Sequence, residues 1–167
     1  MKLKKWVLYF FVLFLTTAAV SKDAKPGEGL SEGSVSPDLT LMTSGFMQTK
    51  LSDYKGKYVL LQFWASNNAD SRISNVKLNN LIKADQDASV KMISLALDKS
   101  SEVARMTAEL DGIDPSNIFT VSDVLKEEVK KQFRMNSVNY GNFLLNEDGV
   151  IIAKNLTTDD MKKIVFN

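Results

Sequence analysis

Any chemistry in this 167-residue chain has to be done without cysteine and without histidine, since neither occurs in it. That removes thiol nucleophiles, disulfides, Cys/His zinc sites, haem ligation and histidine-based triads in one step. What remains is hydroxyl, carboxylate, amine and guanidinium chemistry, and its densest collection is Asn67-Asn68-Ala69-Asp70-Ser71-Arg72. A serine nucleophile needs an adjacent base. Arg72 stays protonated and cannot serve, and Lys77 lies more than one helical turn beyond Ser71. The plainer reading is that Asn68, Asp70 and Ser71 cap the start of a helix. The N–H groups of that start could attract an anion, which Asp70 opposes. Glu127-Glu128 and Asp159-Asp160 read as solvated helix positions rather than cation ligands, so neither a metal nor a cofactor is expected.

The elements that must position this loop are legible around it. Tyr58 to Trp64 is an apolar run rich in β-branched and aromatic residues, the length of a strand buried on both faces, and is expected to be the central strand. After the loop, Ile73, Val76, Leu78, Leu81 and Ile82 recur at helical spacing up to about Ala84. Val90 to Leu97 reads as a second buried strand, which makes a right-handed βαβ unit with parallel strands. Ser100 or Ser101 caps a helix to Leu110, and residues 111–115 break it. Ile118 to Val121 is a short strand. Ser122 or Asp123 caps a helix to about Phe133, with Val124, Leu125, Val129 and Phe133 as its expected buried stripe. Phe143 to Asn146 and Val150 to Ala153 form a hairpin around Glu147-Asp148-Gly149, and Thr157 or Thr158 begins a last helix. Upstream, Asp38 to Thr43, the turn Ser44-Gly45 and Phe46 to Leu51 carry a hairpin signal.

With these residues in view, the segment Phe63-Trp64-Ala65-Ser66 followed by Asn67 to Arg72 resembles the active-site segment of the thioredoxin superfamily. The similarity is to its exported TlpA/ResA-like branch, where F-W-A-S is followed by W-C-x-x-C-R. The lead-in Ser36-Pro37-Asp38-Leu39-Thr40-Leu41, with Leu51 to Lys57, resembles that branch too, and the order of elements matches it over roughly Val35 to Val165. The resemblance implies an α/β thioredoxin-like fold, a central mixed β-sheet flanked by helices, with an N-terminal β-hairpin and an extra helix-strand insertion. It also sets Asn68 and Ser71 where the two cysteines belong, so Trp64, Asn67, Asn68, Ala69, Asp70 and Ser71 form a degenerate active-site loop. The family's cis-proline segment corresponds to Asn139-Tyr140-Gly141, with Tyr140 at the proline; without proline the peptide is expected to be trans. Trp64 has two readings, a core aromatic or one wall of a peptide groove with Tyr140 across from it.

A hydrophobic share of 44% and a charged share of 25% fit one folded domain of this length and exclude a disordered or fibrous class. Lys2, Lys4 and Lys5, an apolar block from Trp6 to Leu15 and small residues to Ser21 have the layout of a secretory signal peptide, expected over 1–21. The block is short for a membrane span, and an uncleaved anchor is the alternative. Residues 22–34, rich in Gly, Pro and charge, are expected to be a flexible linker before a domain over 35–167. Losing the three lysines takes the formal charge from +1 to −2, which leaves no electrostatic footprint for nucleic acid. The expected function is that of an exported, periplasmic or envelope, redox-inactive protein holding a polypeptide in the former substrate groove or acting as an accessory paralogue. It would meet a membrane only if its N-terminal segment stays uncleaved. The alternative implied by the resemblance alone is a thiol-disulfide oxidoreductase or peroxiredoxin-like protein of cell redox homeostasis. A small-molecule binder at the loop is a third reading and needs a concave pocket.

Overall fold

The computed structural model describes residues 26–84, 90–136 and 138–166. The expected signal segment, 1–21, lies outside them. Tyr58–Trp64 forms the strand β3, which pairs in parallel with β4 (Val90–Ala96) and antiparallel with β6 (Asn142–Leu145). With β1 (Thr40–Thr43), β2 (Gln48–Lys50), β5 (Ile118–Thr120) and β7 (Ile151–Lys154) they make a mixed sheet of order β2-β1-β5-β4-β3-β6-β7. The middle position belongs to β4, one place from where β3 was expected. The N-terminal hairpin forms as expected, and β1 also pairs antiparallel with β5, so the hairpin is part of the sheet.

Among the described residues, four α-helices cover the sheet: α1 (Ala69–Ala84), α2 (Ser101–Leu110), α3 (Lys126–Gln132) and α4 (Thr158–Val165). Strand alternation sends Val59, Leu61 and Phe63 to one face and Leu60, Gln62 and Trp64 to the other. The first face is closed by Leu39, Leu51 and α3, and its centre is a ring cluster. Phe63 and Phe133 have centroids 4.9 Å apart, and Phe143 meets both edge-on at 6.1 and 5.6 Å. Such pairs add about 0.5–1.5 kcal/mol each beyond their buried area. The second face carries α1 and α4 over Leu60, Met92 and Leu144, and α2 over Trp64 through the small side chains Ala104 and Ala108.

Two helix stripes differ from the periodic reading. On α1 the buried positions are Ser71, Asn75, Leu78, Asn79 and Ile82, while Ile73 faces solvent and Val76 and Leu81 are half-buried. The Asn75 and Asn79 side chains have partners inside the protein, Ser94 Oγ and the Gly112 carbonyl. Just before α3 a 3-10 turn over Asp123–Leu125 rotates Val124 outward. Lys126 is buried there instead, its ammonium bonded to Asp123 and to the Lys99 carbonyl.

The helix ends are locally specified. Ser100 Oγ accepts from the Val103 N–H at 3.3 Å, and Thr157 and Asp160 cap α4 reciprocally. Helix α3 ends with the Met135 N–H on the Lys130 carbonyl (2.7 Å) and the Arg134 N–H on the Lys131 carbonyl (3.2 Å), a Schellman pair. The left-handed residue in it is Arg134, at φ 55°.

Where a flexible linker is expected up to residue 34, the described part of it is bonded to the domain. The Gly33 N–H donates to the Ile151 carbonyl (2.8 Å) and the Ile151 N–H to the Ser34 carbonyl (2.9 Å). Val35 bridges both Glu28 and Val150, and Leu30 packs against the ring-bearing core. Residues 27–35 therefore form a strap along the outer side of β7.

Candidate functional site

The loop after β3 is closed by its own groups. The Asn68 N–H bonds the Ala65 carbonyl at 3.0 Å, and Asn68 Oδ1 accepts from the Ser71 N–H at 2.8 Å, which is the cap expected for α1. Ser71 Oγ donates to the Asn68 carbonyl (3.0 Å) and accepts from the Ala65 N–H (3.3 Å). The hydroxyl is thus used in both senses, and Ser71 is only 3% exposed. No base reaches it, since Lys77 points to solvent. Two ties fix the loop from outside. Ser66 donates its N–H to both Asp98 carboxylate oxygens (2.9 and 3.1 Å) and its hydroxyl to one of them, joining the ends of β3 and β4. Arg72 holds Asp111 through Nε (2.9 Å) and Nη2 (2.6 Å), joining α1 to the end of α2. Asn67, Ala69 and Asp70 are exposed.

The segment facing the loop is equally self-contained. Asn136 Oδ1 accepts from the Val138 N–H (2.9 Å) and the Asn139 N–H (2.6 Å), and the Val138 carbonyl accepts a long bond from Asn68 Nδ2 (3.4 Å). The Phe63 N–H donates to the Gly141 carbonyl at 3.0 Å, and the Gly141 N–H to Met135 Sδ at 3.4 Å. No peptide bond is cis among the described residues, Asn139–Tyr140 included. Tyr140 is half-buried against the ring-bearing core, and burial pushes its phenol above the usual tyrosine range, with Lys130 opposing that and Asp98 and Glu127 adding to it.

Asn68 and the 138–141 segment are therefore brought together, but Trp64 is not part of their surface. Its exposure is 0%, and it lies under α2, on the opposite sheet face from the cluster that Tyr140 joins. The apolar side chains exposed on these two segments are instead Ile73, 52% exposed on α1, and Val138, 81% exposed on the facing segment. Between α1 and the start of β6 lies a groove of about 380 Å³ bordered by Asp70, Ile73, Lys77, Tyr140, Asn155 and Thr158.

Residues that the sequence reading passed over hold this groove from below. Asn142 donates to Gln62 Oε1 (3.1 Å) and the Leu156 carbonyl (3.0 Å), and accepts from the Leu156 N–H (2.7 Å). Ser74 reaches the same Gln62 oxygen at 3.4 Å, and Ser94 bonds Asn75 at 2.9 Å. The available signal was Gln62, one polar residue in the apolar run of β3. Chemically, the loop offers amides, backbone groups and serine hydroxyls already bonded within the protein, with the Asp70 carboxylate, the Lys77 ammonium and the Tyr140 phenol on the groove. No group of three or more Asp or Glu side chains could hold a metal ion among the described residues.

A profile of the AhpC/TSA family matches residues 33–154. The thioredoxin-like protein YneN of Bacillus subtilis (strain 168) is 31% identical over 113 residues. That match covers 64% of this chain and 66% of the relative, so the chain spans just under two thirds of the relative's length. Among solved structures, a thioredoxin-like protein from Parabacteroides distasonis ATCC 8503 superposes with a TM-score of 0.70 at 28% identity, over 86% of this chain and 100% of that one. The thioredoxin domain of a thiol-disulfide oxidoreductase from Bacteroides vulgatus gives 0.72 at 25% identity, over 81% and 95%.

Proposed function

The chain belongs to the AhpC/TSA family and has its thioredoxin-like fold, and from that premise we propose that it is an exported member that works by holding a polypeptide rather than by exchanging disulfides. The observation that carries the reading is the pairing of Asn68 with Ser71. At the two positions where the TlpA-like branch has cysteines, this chain has a capping amide and a hydroxyl bonded to each other's residues. Thiol exchange runs through attack of a thiolate on a disulfide sulfur, and the chain contains no cysteine to supply one. The thiol-disulfide oxidoreductase chemistry of the Bacteroides vulgatus relative would require a sulfur from elsewhere.

Binding is supported by what surrounds the closed loop. Ile73 puts apolar surface into a groove with the half-buried Tyr140 at its edge, and Val138, two residues before that tyrosine, is exposed. Asn136 already occupies the N–H groups of Val138 and Asn139, so a bound chain would be held through its side chains more than by strand addition.

Two measurements on the same preparation test this. Insulin reduction in dithiothreitol should run at the rate of dithiothreitol alone, and an acceleration above it would overturn the non-catalytic half. A photo-crosslinker placed at Val138 should trap unfolded polypeptide more than one placed at Lys83 does, and equal yields would overturn the binding half.

A further inference from the structure

We propose that the cavity between the end of α3, the Asn139–Gly141 segment and the end of β7 is a carboxylate pocket, which takes an acidic side chain of the polypeptide held along 138–141. The proposal rests on the polypeptide reading above and names what that polypeptide carries. The cavity has a volume of about 240 Å³ and is bordered by Arg134, Lys154, Asn139, Asn155, Ser31 and Met135, with no Asp or Glu in its lining. That is room for roughly eight waters at about 30 Å³ each, enough for a carboxylate with some of its hydration. Neither Arg134 nor Lys154 has an acidic partner among the described residues, whereas the other two arginines, Arg72 and Arg105, do.

The backbone singles out Arg134. It occupies the left-handed position of the Schellman pair closing α3, which glycine fills without strain, and it does so at φ 55°. That turn sets Arg134 at the border of the cavity, and its planar guanidinium fork suits a carboxylate. Asn155, also left-handed at φ 52°, closes the opposite side, and its Oδ1 lies so near the Gly141 Cα that any Cβ there would collide with it. Side-chain amides at Asn139 and Asn155 add donors beside the two cations.

The test uses the full-length chain and two blocked hexapeptides that differ only in a central glutamate or glutamine. At low salt the glutamate peptide should bind at least tenfold more tightly. That ratio should fall close to one in both Arg134→Gly and Lys154→Gln, with the glutamine peptide's affinity unchanged. Arg134→Gly should melt no lower than the parent chain, which separates loss of the ligand from loss of the fold. A ratio near one in the parent, or a tenfold ratio surviving both substitutions, overturns the pocket. If neither peptide binds, the polypeptide reading has failed, and sodium propionate then decides the pocket alone. Saturable shifts of the Met135, Gly141 and Asn155 amides that vanish in Arg134→Gly uphold it, and their absence overturns it. Inorganic phosphate shifting the same amides at lower concentration than propionate overturns the carboxylate assignment.

Discussion

The two faces of β3 are built from different materials. One is dry at its centre: Val59, Leu61 and Phe63 lie among aliphatic side chains and the rings of Phe119, Phe133 and Phe143, with the half-buried Tyr54 and Tyr140 packed at its margin. The other alternates Leu60, Gln62 and Trp64 and is layered with amides and hydroxyls, Asn75 on Ser94 and Asn142 on Gln62 and Leu156. Apolar packing is non-directional and tolerates small displacements, whereas a buried amide must have its partners in place. The dry face accordingly supplies stability. The amide layer fixes where α1 and the 155–157 turn stand relative to the loop between them, and the surface proposed to hold a polypeptide lies over that layer.

The largest effect should come from the dry side. Phe63→Ala is expected to cost about 3–5 kcal/mol in chemical denaturation, because it empties the centre of the ring cluster. A loss below 1 kcal/mol would mean that the cluster is not the main source of stability. Next is the amide layer. Asn142→Ala strands the N–H and carbonyl of Leu156 and should cost about 2–3 kcal/mol. It should also quicken amide exchange at Leu156 and Ser74, which Phe63→Ala should not do selectively. Equal, diffuse exchange in both variants would erase the distinction drawn between the faces.

At the loop itself, Asn68→Ala removes one cap and should cost about 1 kcal/mol, leaving the dry face untouched. No change in stability would mean that the Asn68–Ser71 bond is incidental. The smallest effect concerns acid. Bonds from Thr157 hold the exposed Asp160 carboxylate below the usual aspartate range. A depressed carboxylate stabilises the fold above its unfolded value and loses that contribution as pH falls through the folded one. The amides of Thr157 and Asp160 should therefore lose protection on acidification through and below the ordinary aspartate range before those of β3 do. Simultaneous loss would show that α4 is not separately capped.

How much of this could be read in the sequence differs between the same two faces. Apolar runs and cap residues are local, so β3, the start of α1, the Asn68 cap and the hairpin turn at Gly149 were all legible. Buried amides were not. Asn75 and Asn79 look like solvent positions on any periodic reading, and their partners come from β4 and from the chain after α2. Trp64 could be placed on a strand but not assigned a face, because the small Ala104 and Ala108 that admit it over the sheet lie some forty residues on. The Arg134 and Lys154 cavity had no sequence signal at all, since one cation comes from the turn after α3 and the other from the end of β7.

The strap over residues 27–35 bears on how the molecule behaves in a crowd. The outer strand of a sheet offers unpaired N–H and carbonyl groups on which another chain can add itself. On β7 the strap takes up both outward groups of Ile151 through Gly33 and Ser34. Cleavage after Ala19 or Ser21 would leave that cover intact, whereas a protease cutting after Val35 would strip it and leave β7 an open template for fibrillar growth.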